Sequence, residues 1–493
     1  MNVYLIIDTG TSSMRSLLYS QTGELLASFQ RTYQMTLTED GGATMDASVF
    51  RNALYALSAS AAGYAADQGL HIRSLSFTSQ RSSVLPLSEN GTPLAPILMW
   101  YDKRCQDICA SFSRQQKEQI HRISGMLLSP VCSAPKMLWL KQSSPDLYES
   151  AYKLAGIHDY LLYIAAGVFC TDVTCAGRTC LLDAAALEWS LPLLCLFGLS
   201  YDKLCALKEP GSVAGFVTPS FSRRTGLASG LPVITAGGDQ QCSCLGLGIR
   251  RSGETGINSG TASYVTTLSD TPETNAYKGV NTVPSALPGK WLLEAANTGS
   301  GSVYNWFCRQ FYSPRRRFVS TQTINQAVLS SPAGARGVLC LPSFAGKGCP
   351  DWNGGAKGAF CNIGLHNQKE DFARALLEGI CSEIYDCWTS LPEVGLAKDP
   401  ILSSGGMSRF PEFNQILADM MNLPVSASDC PETTSLGAFL NTLRALGETT
   451  VFERLLSSPR REHGRIFRPR PGLHELYMEQ HALRTQIYQN INS

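Results

Sequence analysis

The chain has 493 residues, enough for two large domains or three of average size. Its 41 Lys and Arg almost cancel 40 Asp and Glu, so no overall field draws it onto nucleic acid or an anionic membrane. With 44% hydrophobic and 16% charged residues it has the composition of a compact, loop-rich globule, which excludes disorder on a large scale.

No stretch reaches the roughly 18 to 20 apolar residues of a membrane span. Tyr160 to Phe169 is too short, and Pro192 breaks the run near Leu191. Val3 to Ile7 follows no basic segment, so a secretory leader is not expected and the chain reads as cytoplasmic. The 17 cysteines are odd in number, scattered and without a CxxC pair. Buried free thiols are expected rather than a disulfide frame or a zinc site.

In chain order, Val3 to Ile7 predicts a buried strand, Asp8 to Ser13 a turn, and Arg15 to Tyr19 a returning strand. Leu25 to Phe29 completes an antiparallel meander. Asp46 to Asp67 predicts an Ala-rich helix with Phe50, Leu54 and Leu57 on one face, and Leu75 to Thr78 a strand. After a middle third of alternating helices and strands, Leu231 to Ala236 is a strand that runs into Gly237-Gly238-Asp239. A second cycle follows, with a strand ending at Gly260-Thr261-Ala262-Ser263 and another at Tyr264 to Leu268. Asp371 to Leu391 is an amphipathic helix, Ile401 to Ser404 a strand entering Gly405-Gly406, and Phe413 to Met421 and Ser435 to Leu446 a last helix pair. A strand, a Gly-Thr turn and a strand head each half, so two copies of one α/β architecture are expected, 1–249 and 250–493. The basic segment from Ser458 to Pro471, with Arg460, Arg461, Arg465, Arg468 and Arg470, carries no aromatic ladder and reads as solvated surface.

Asp8-x-Gly10-Thr11-x-x-x-Arg15 suits a polyanion. Gly10 admits close backbone approach, the Thr11 and Ser12 hydroxyls donate, and Arg15 adds a cation. Asp8, ending a buried strand, is placed to hold Mg²⁺. The chain has no Walker A loop. Asp239, after two glycines at a strand end, stands where ligands collect in open α/β sheets and where a base for phosphoryl transfer to an alcohol belongs. Gln80-Arg81 and Trp100-Tyr101-Asp102-Lys103-Arg104 bring amide, guanidinium, carboxylate and an aromatic face, which a sugar or polyol uses.

These residues resemble, in register from about 3 to 447, the FGGY carbohydrate kinases. The matching motifs are DxGTxxxR at Asp8 to Arg15, Gln80-Arg81, W-x-D-x-R at Trp100 to Arg104, and S-x-x-K-x-x-W-L at Ser133 to Leu140. They continue with His158-Asp159-Tyr160, Thr171-Asp172 to Arg178, G-G-D-Q at Gly237 to Gln240, and Gly260-Thr261. Ala375 and Glu378, Gly405-Gly406, and Gln415 to Pro424 complete the set. The resemblance implies two actin-like (ribonuclease H-like) domains closing over a cleft, ATP and Mg²⁺ as cofactors, and a small-molecule sugar, ketose or polyol as acceptor. A homodimer would fit it. It further implies Asp239 as catalytic base, with Asp8 and Asp239 at the metal. Thr11, Ser12, Arg15, Gly260 and Thr261 would lie at the phosphates, Gly301, Asn305, Gly405 and Gly406 along the nucleotide, and Gln80, Arg81, Trp100, Asp102 and Gln240 near the acceptor.

Several positions depart from the pattern. Ser82 stands where glycerol kinases carry Glu, Val131 where they carry Tyr, and Gln80-Arg81-Ser82-Ser83 does not match the Q-M-H-G of xylulokinases. Cys175 and Gly177 replace N-x-S, Asn362 replaces a Gly, and Phe410 stands where a small or polar residue faces the adenosine. The competing reading is a non-catalytic ATP-binding sensor or assembly protein of actin-like fold. Such a protein has no use for the Gln80, Arg81, Trp100 and Asp102 set.

Overall fold

The computed structural model describes residues 1–274, 279–312, 321–395, 399–457 and 464–492. The first sheet contains β1 (Asn2–Thr9), β2 (Ser13–Ser20), β3 (Leu25–Thr32), β4 (His71–Ser79), β5 (Ser212–Phe216) and β6 (Pro232–Gly238), in the order β5-β6-β4-β1-β2-β3. β1, β4 and β6 run parallel, while β1-β2-β3 form the expected meander and β5 closes the edge antiparallel. The second sheet contains β7 (Thr255–Ser259), β8 (Ser263–Ser269), β9 (Asn281–Pro284), β10 (Trp291–Asn297), β11 (Ile401–Ser404), β12 (Val425–Ala427) and β13 (Arg465–Phe467). Its order is β9-β10-β8-β7-β11-β12-β13, with β7, β11 and β12 parallel and β7-β8-β10 a meander. Each sheet therefore joins a three-stranded meander, through its first strand, to two more parallel strands.

β1 is buried on both faces, and its alternation sorts the layers. Val3, Leu5 and Ile7 pack with α1 (Ala47–Asp67) and α2 (Ile157–Ala166) on one side. Asp46 caps α1 by accepting from the Ser48 N–H at 2.7 Å, and Phe50, Leu54 and Leu57 are its buried face. Tyr4 and Ile6 point to the other side, where α3 (Asp239–Leu247) meets two helices from much later in the chain. The second sheet is covered by helices further along the chain: α4 (Gly301–Phe307), α5 (Lys369–Ser390) and α6 (Pro411–Met421) pack Val303, Leu376, Ile380, Phe413 and Ile416 against Ile257, Val265 and Leu293.

Those late helices are α7 (Thr433–Ala445) and α8 (Thr449–Leu456). They return to the first sheet, with Phe439, Leu440, Leu443 and Phe452 packed on Tyr4, Ile6, Leu17 and Tyr19. Residues 250–493 therefore do not pack as one body. Phe439 stacks on Tyr19 with ring centroids 5.1 Å apart. Where α3 crosses α7, Gly246 and Gly437 sit at the contact, and a methyl group on either would fall 1.8 Å from a carbonyl oxygen of the other helix, that of Thr433 or Cys242. Between β4 and β5 a largely helical insertion packs Ile120, Met137, Leu140 and Phe197 together with Leu268, Val283 and Leu292 of the second sheet.

All 17 cysteines are free and most are buried, as expected. No described helix is long and apolar enough to cross a membrane. In the basic segment, Arg470 is bound to Asp419 at 2.7 Å rather than solvated alone, while Arg460 and Arg461 lie outside the described residues. Asn362 has φ 57°, the left-handed conformation that the replaced glycine would take most easily and that Asn tolerates best among other residues.

Candidate active site

The expected first-half groups gather because β1, β4 and β6 end side by side, with Asp8 in register with Thr78 and Ser79 with Gly238. Asp8 is nearly buried, and its Oδ2 accepts from Arg15 Nη2, its cross-strand neighbour, at 2.6 Å. Burial raises the Asp8 pKa, and Arg15 opposes the rise. In the following turn the Gly10 N–H donates to the Ser13 carbonyl at 2.9 Å. Gln80 Nε2 donates to the Gly10 carbonyl at 3.0 Å, and Trp100 Nε1 to Thr11 Oγ1 at 3.0 Å. Gln80 and Trp100, expected near an acceptor, thus also brace the turn expected at the phosphates. Ser12 is exposed and Thr11 half-buried beside it.

Asp239 opens α3. The loop before it is held from behind, since the Gly238 N–H donates to Thr174 Oγ1 at 2.7 Å and Thr174 donates in turn to Asp172. Asp239 Oδ1 accepts the Gln240 N–H at 2.8 Å and lies 3.2 Å from Arg81 Nε, with the side chain about a quarter exposed (27%). Burial raises its pKa above the ordinary value. Arg81 and the Gln240 N–H oppose this, and the Asp8 carboxylate adds to it. Gln240 Oε1 accepts from Asn258 Nδ2 of β7 at 3.3 Å, a contact across the cleft.

Asp102 does not join the acceptor group. Its buried carboxylate accepts from the Ala43 N–H at 2.9 Å and from Arg104 Nη2 at 2.6 Å, so its oxygens are spent on fixing the loop that carries Trp100. Beneath Arg81, a cavity of about 40 Å³ is lined by Ser82, Ser83, His158, Asp159 and Cys175.

The second-half groups lie at the carboxyl ends of β7 and β11, which are paired through Asn258 and Ser404. Gly301, at the start of α4, donates its N–H to the Gly260 carbonyl at 3.0 Å. A methyl group there would sit 2.4 Å from that oxygen, so only glycine lets α4 begin against the Gly260-Thr261 turn. The Thr261 carbonyl accepts from the Ser300 and Ser302 N–H groups at 3.2 and 3.1 Å. Asn305 is exposed on α4, and Gly405-Gly406 are exposed beyond β11, where Ser408 Oγ donates to the Gly405 carbonyl at 2.8 Å. Phe410 is half-buried against the second core.

The structure adds residues that sequence reading did not single out for the site. Arg15 Nη1 donates to Glu432 Oε1 at 2.7 Å, from the loop before α7. Glu294, on β10, accepts from Arg178 at 3.0 Å and lies 3.7 Å from Arg81. Tyr264 of β8 borders the same charges. A Glu inside the otherwise apolar strand Trp-Leu-Leu-Glu-Ala-Ala was the available signal.

Residues 3–246 match the model for the N-terminal domain of the FGGY family of carbohydrate kinases, and residues 256–446 the model for its C-terminal domain. A xylulose kinase of Lactococcus lactis subsp. lactis (strain IL1403) is 24% identical over 492 residues, covering 99% of this chain and 97% of that protein. An autoinducer-2 kinase of Klebsiella pneumoniae subsp. pneumoniae is 27% identical over 520 residues, covering 99% and 94%. Among solved structures, a ligand-bound xylulose kinase from Lactobacillus acidophilus superposes with TM-score 0.91 at 24% identity, covering 100% of this chain and 99% of that one. Plasmodium falciparum glycerol kinase with ADP superposes with TM-score 0.88 at 23% identity, covering 99% and 98%. The chain belongs to the FGGY family of carbohydrate kinases and is a two-domain, ATP-dependent phosphotransferase with an alcohol group of a small sugar-type molecule as acceptor.

Proposed function

We propose that Asp239 is the general base of this transfer. It takes the proton of the acceptor hydroxyl while that oxygen bonds to the γ-phosphorus and the bond from the γ-phosphorus to the leaving ADP oxygen breaks. The observation that carries the reading is the setting of Asp239. It is a partly exposed carboxylate at a strand end, with proton affinity raised by burial and orientation fixed by Arg81 and the head of α3.

Residues 1–249 then present the acceptor and base, through Gln80, Arg81, Trp100 and Gln240. Residues 250–493 carry the nucleotide, through Gly301, Asn305, Gly405 and Gly406, while Thr433–Leu456 serves the first sheet. Thr11, Ser12, Arg15, Gly260 and Thr261 meet the phosphates from the two sides. The negative charge of Asp8 raises the proton affinity of Asp239, and a pair of hard carboxylates of this kind fits Mg²⁺. When bound, that ion supplies charge neutralisation at the phosphate oxygens.

Relatives named xylulose kinase and autoinducer-2 kinase support a small polyhydroxylated acceptor. Ser82, where glycerol kinases carry Glu, supports an acceptor other than glycerol. Seventeen free thiols support a reducing compartment, the cytoplasm. A sensor or assembly role is not favoured, because the relatives are named as kinases.

The test is ADP release by wild type and Asp239→Asn over a panel of tetritols, pentitols, pentuloses, hexuloses and deoxy sugars. Asp239→Asn is expected to fold and bind ATP while turnover falls by about 10³-fold or more. Near-normal turnover would remove Asp239 from the role.

A further inference from the structure

Across the cleft, four charges alternate in sign. Asp239 lies 3.2 Å from Arg81, Arg81 lies 3.7 Å from Glu294, and Glu294 lies 3.0 Å from Arg178. The first, second and fourth belong to the first half of the chain, and Glu294 comes from β10 of the second sheet. Its side chain is 2% exposed and shares a strand face with Leu292, which is packed into the insertion of the first half. A carboxylate at such a place is strongly unfavourable unless cations answer it. Two do, and neither belongs to its own sheet.

We propose that Glu294 balances the charge of the acceptor site, so that the site takes an uncharged polyhydroxyl compound and turns away sugar acids. The inference rests on the acceptor reading given above and narrows it. Without Glu294, Arg178 would lose the carboxylate that holds it and Arg81 would keep Asp239 alone, which leaves a guanidinium open to an aldonate carboxylate. With Glu294 in place both guanidinium groups are engaged. Arg81 also donates to Gln241 Oε1 at 3.0 Å, and Arg178 is held by Glu294. A carboxylate on the acceptor would have to displace one of these anions or sit beside it unpaired. A hydroxyl acceptor meets no such conflict. Glu294 Oε1 is buried without a hydrogen bond, so the carboxylate keeps lone pairs for a donor and has nothing to offer a second anion.

Glu294→Gln keeps the shape and removes the charge, and the probe is D-gluconate. Its binding is measured by calorimetry with a non-hydrolysable ATP analogue present, alongside ADP release on D-gluconate, xylitol and D-xylulose. Wild type is expected to bind D-gluconate only weakly, and Glu294→Gln to bind it at least about tenfold more tightly. The double variant Glu294→Gln with Arg178→Gln restores the balance and is expected to lose that binding again, which a purely structural role of Glu294 would not produce. It also serves as the folded comparison if the single variant is unstable. Turnover of D-gluconate by wild type at a rate matching the neutral compounds overturns the proposal, as does unchanged D-gluconate affinity in Glu294→Gln. If no neutral compound is turned over yet Glu294→Gln gains D-gluconate, the charge balance stands and the acceptor reading falls.

Discussion

Arg81 Nε lies 3.2 Å from Oδ1 of Asp239, so the group assigned to accept a proton carries a permanent cation beside it. Burial raises the Asp239 pKa, and Arg81 is the first influence opposing that rise. Only the unprotonated carboxylate accepts a proton, so activity is lost as pH falls through this pKa. Arg81→Met takes away the opposing charge, and the acid limb of kcat/KM is expected to move to higher pH. A limb that stays in place while kcat/KM falls at every pH would mean that Arg81 acts on the acceptor alone.

Gly301→Ala places a methyl group 2.4 Å from the Gly260 carbonyl, a backbone atom that has no side-chain freedom with which to yield. The start of α4 and the Gly260-Thr261 turn must separate, costing about 1 to 3 kcal/mol of stability. The expected signature is roughly tenfold weaker ATP binding by calorimetry. Acceptor binding in the first half should be unchanged. Equal losses at both sites would point to general unfolding instead.

Glu383 of α5 is buried, accepts from Ser343 Oγ at 2.8 Å, and has its pKa pushed up from 4.5 to about 7, chiefly by burial. A carboxyl with a raised folded-state pKa stabilises the fold fully below its unfolded value and loses that contribution as pH rises through its folded value. Stability from this group therefore drains away between about pH 4.5 and somewhat above 7. Glu383→Gln, neutral throughout, is expected to melt higher than wild type near pH 8, by no more than about 3 kcal/mol, and to match it near pH 5. A wild-type advantage at the higher pH would show that Lys347 stabilises the Glu383 anion more than burial opposes it.

The β1–β2 hairpin was legible because an apolar run, a Gly-Thr turn and a second apolar run are local signals, and the same holds for α1 with its Asp46 cap. That Asp8, Gln80 and Asp239 would come together was legible because strand ends followed by glycine or polar residues are where parallel sheets leave room. The partners of Asp102 were not legible, because a carboxylate in a polar cluster looks the same whether it faces a ligand or, as here, the Ala43 N–H and Arg104. Glu294 was missed because its partners, Arg81 and Arg178, lie far away in sequence and nothing local pairs it with them. The return of α7 to the first sheet was also out of reach. Amphipathic spacing shows that a helix has an apolar face, not which of two sheets that face will meet.

The Gly246–Gly437 crossing sets a length. α3 begins with Asp239, and α7 follows directly on Glu432, the partner of Arg15. Because the two helices touch main chain to main chain, no rotamer lies between them that could be longer or shorter. The separation of Asp239 from the loop that reaches Arg15 is therefore fixed by peptide geometry, like the span of a pair of callipers whose arms meet at a rivet. Exchanging side chains in the surrounding cores can loosen either arm, but it cannot change the gauge.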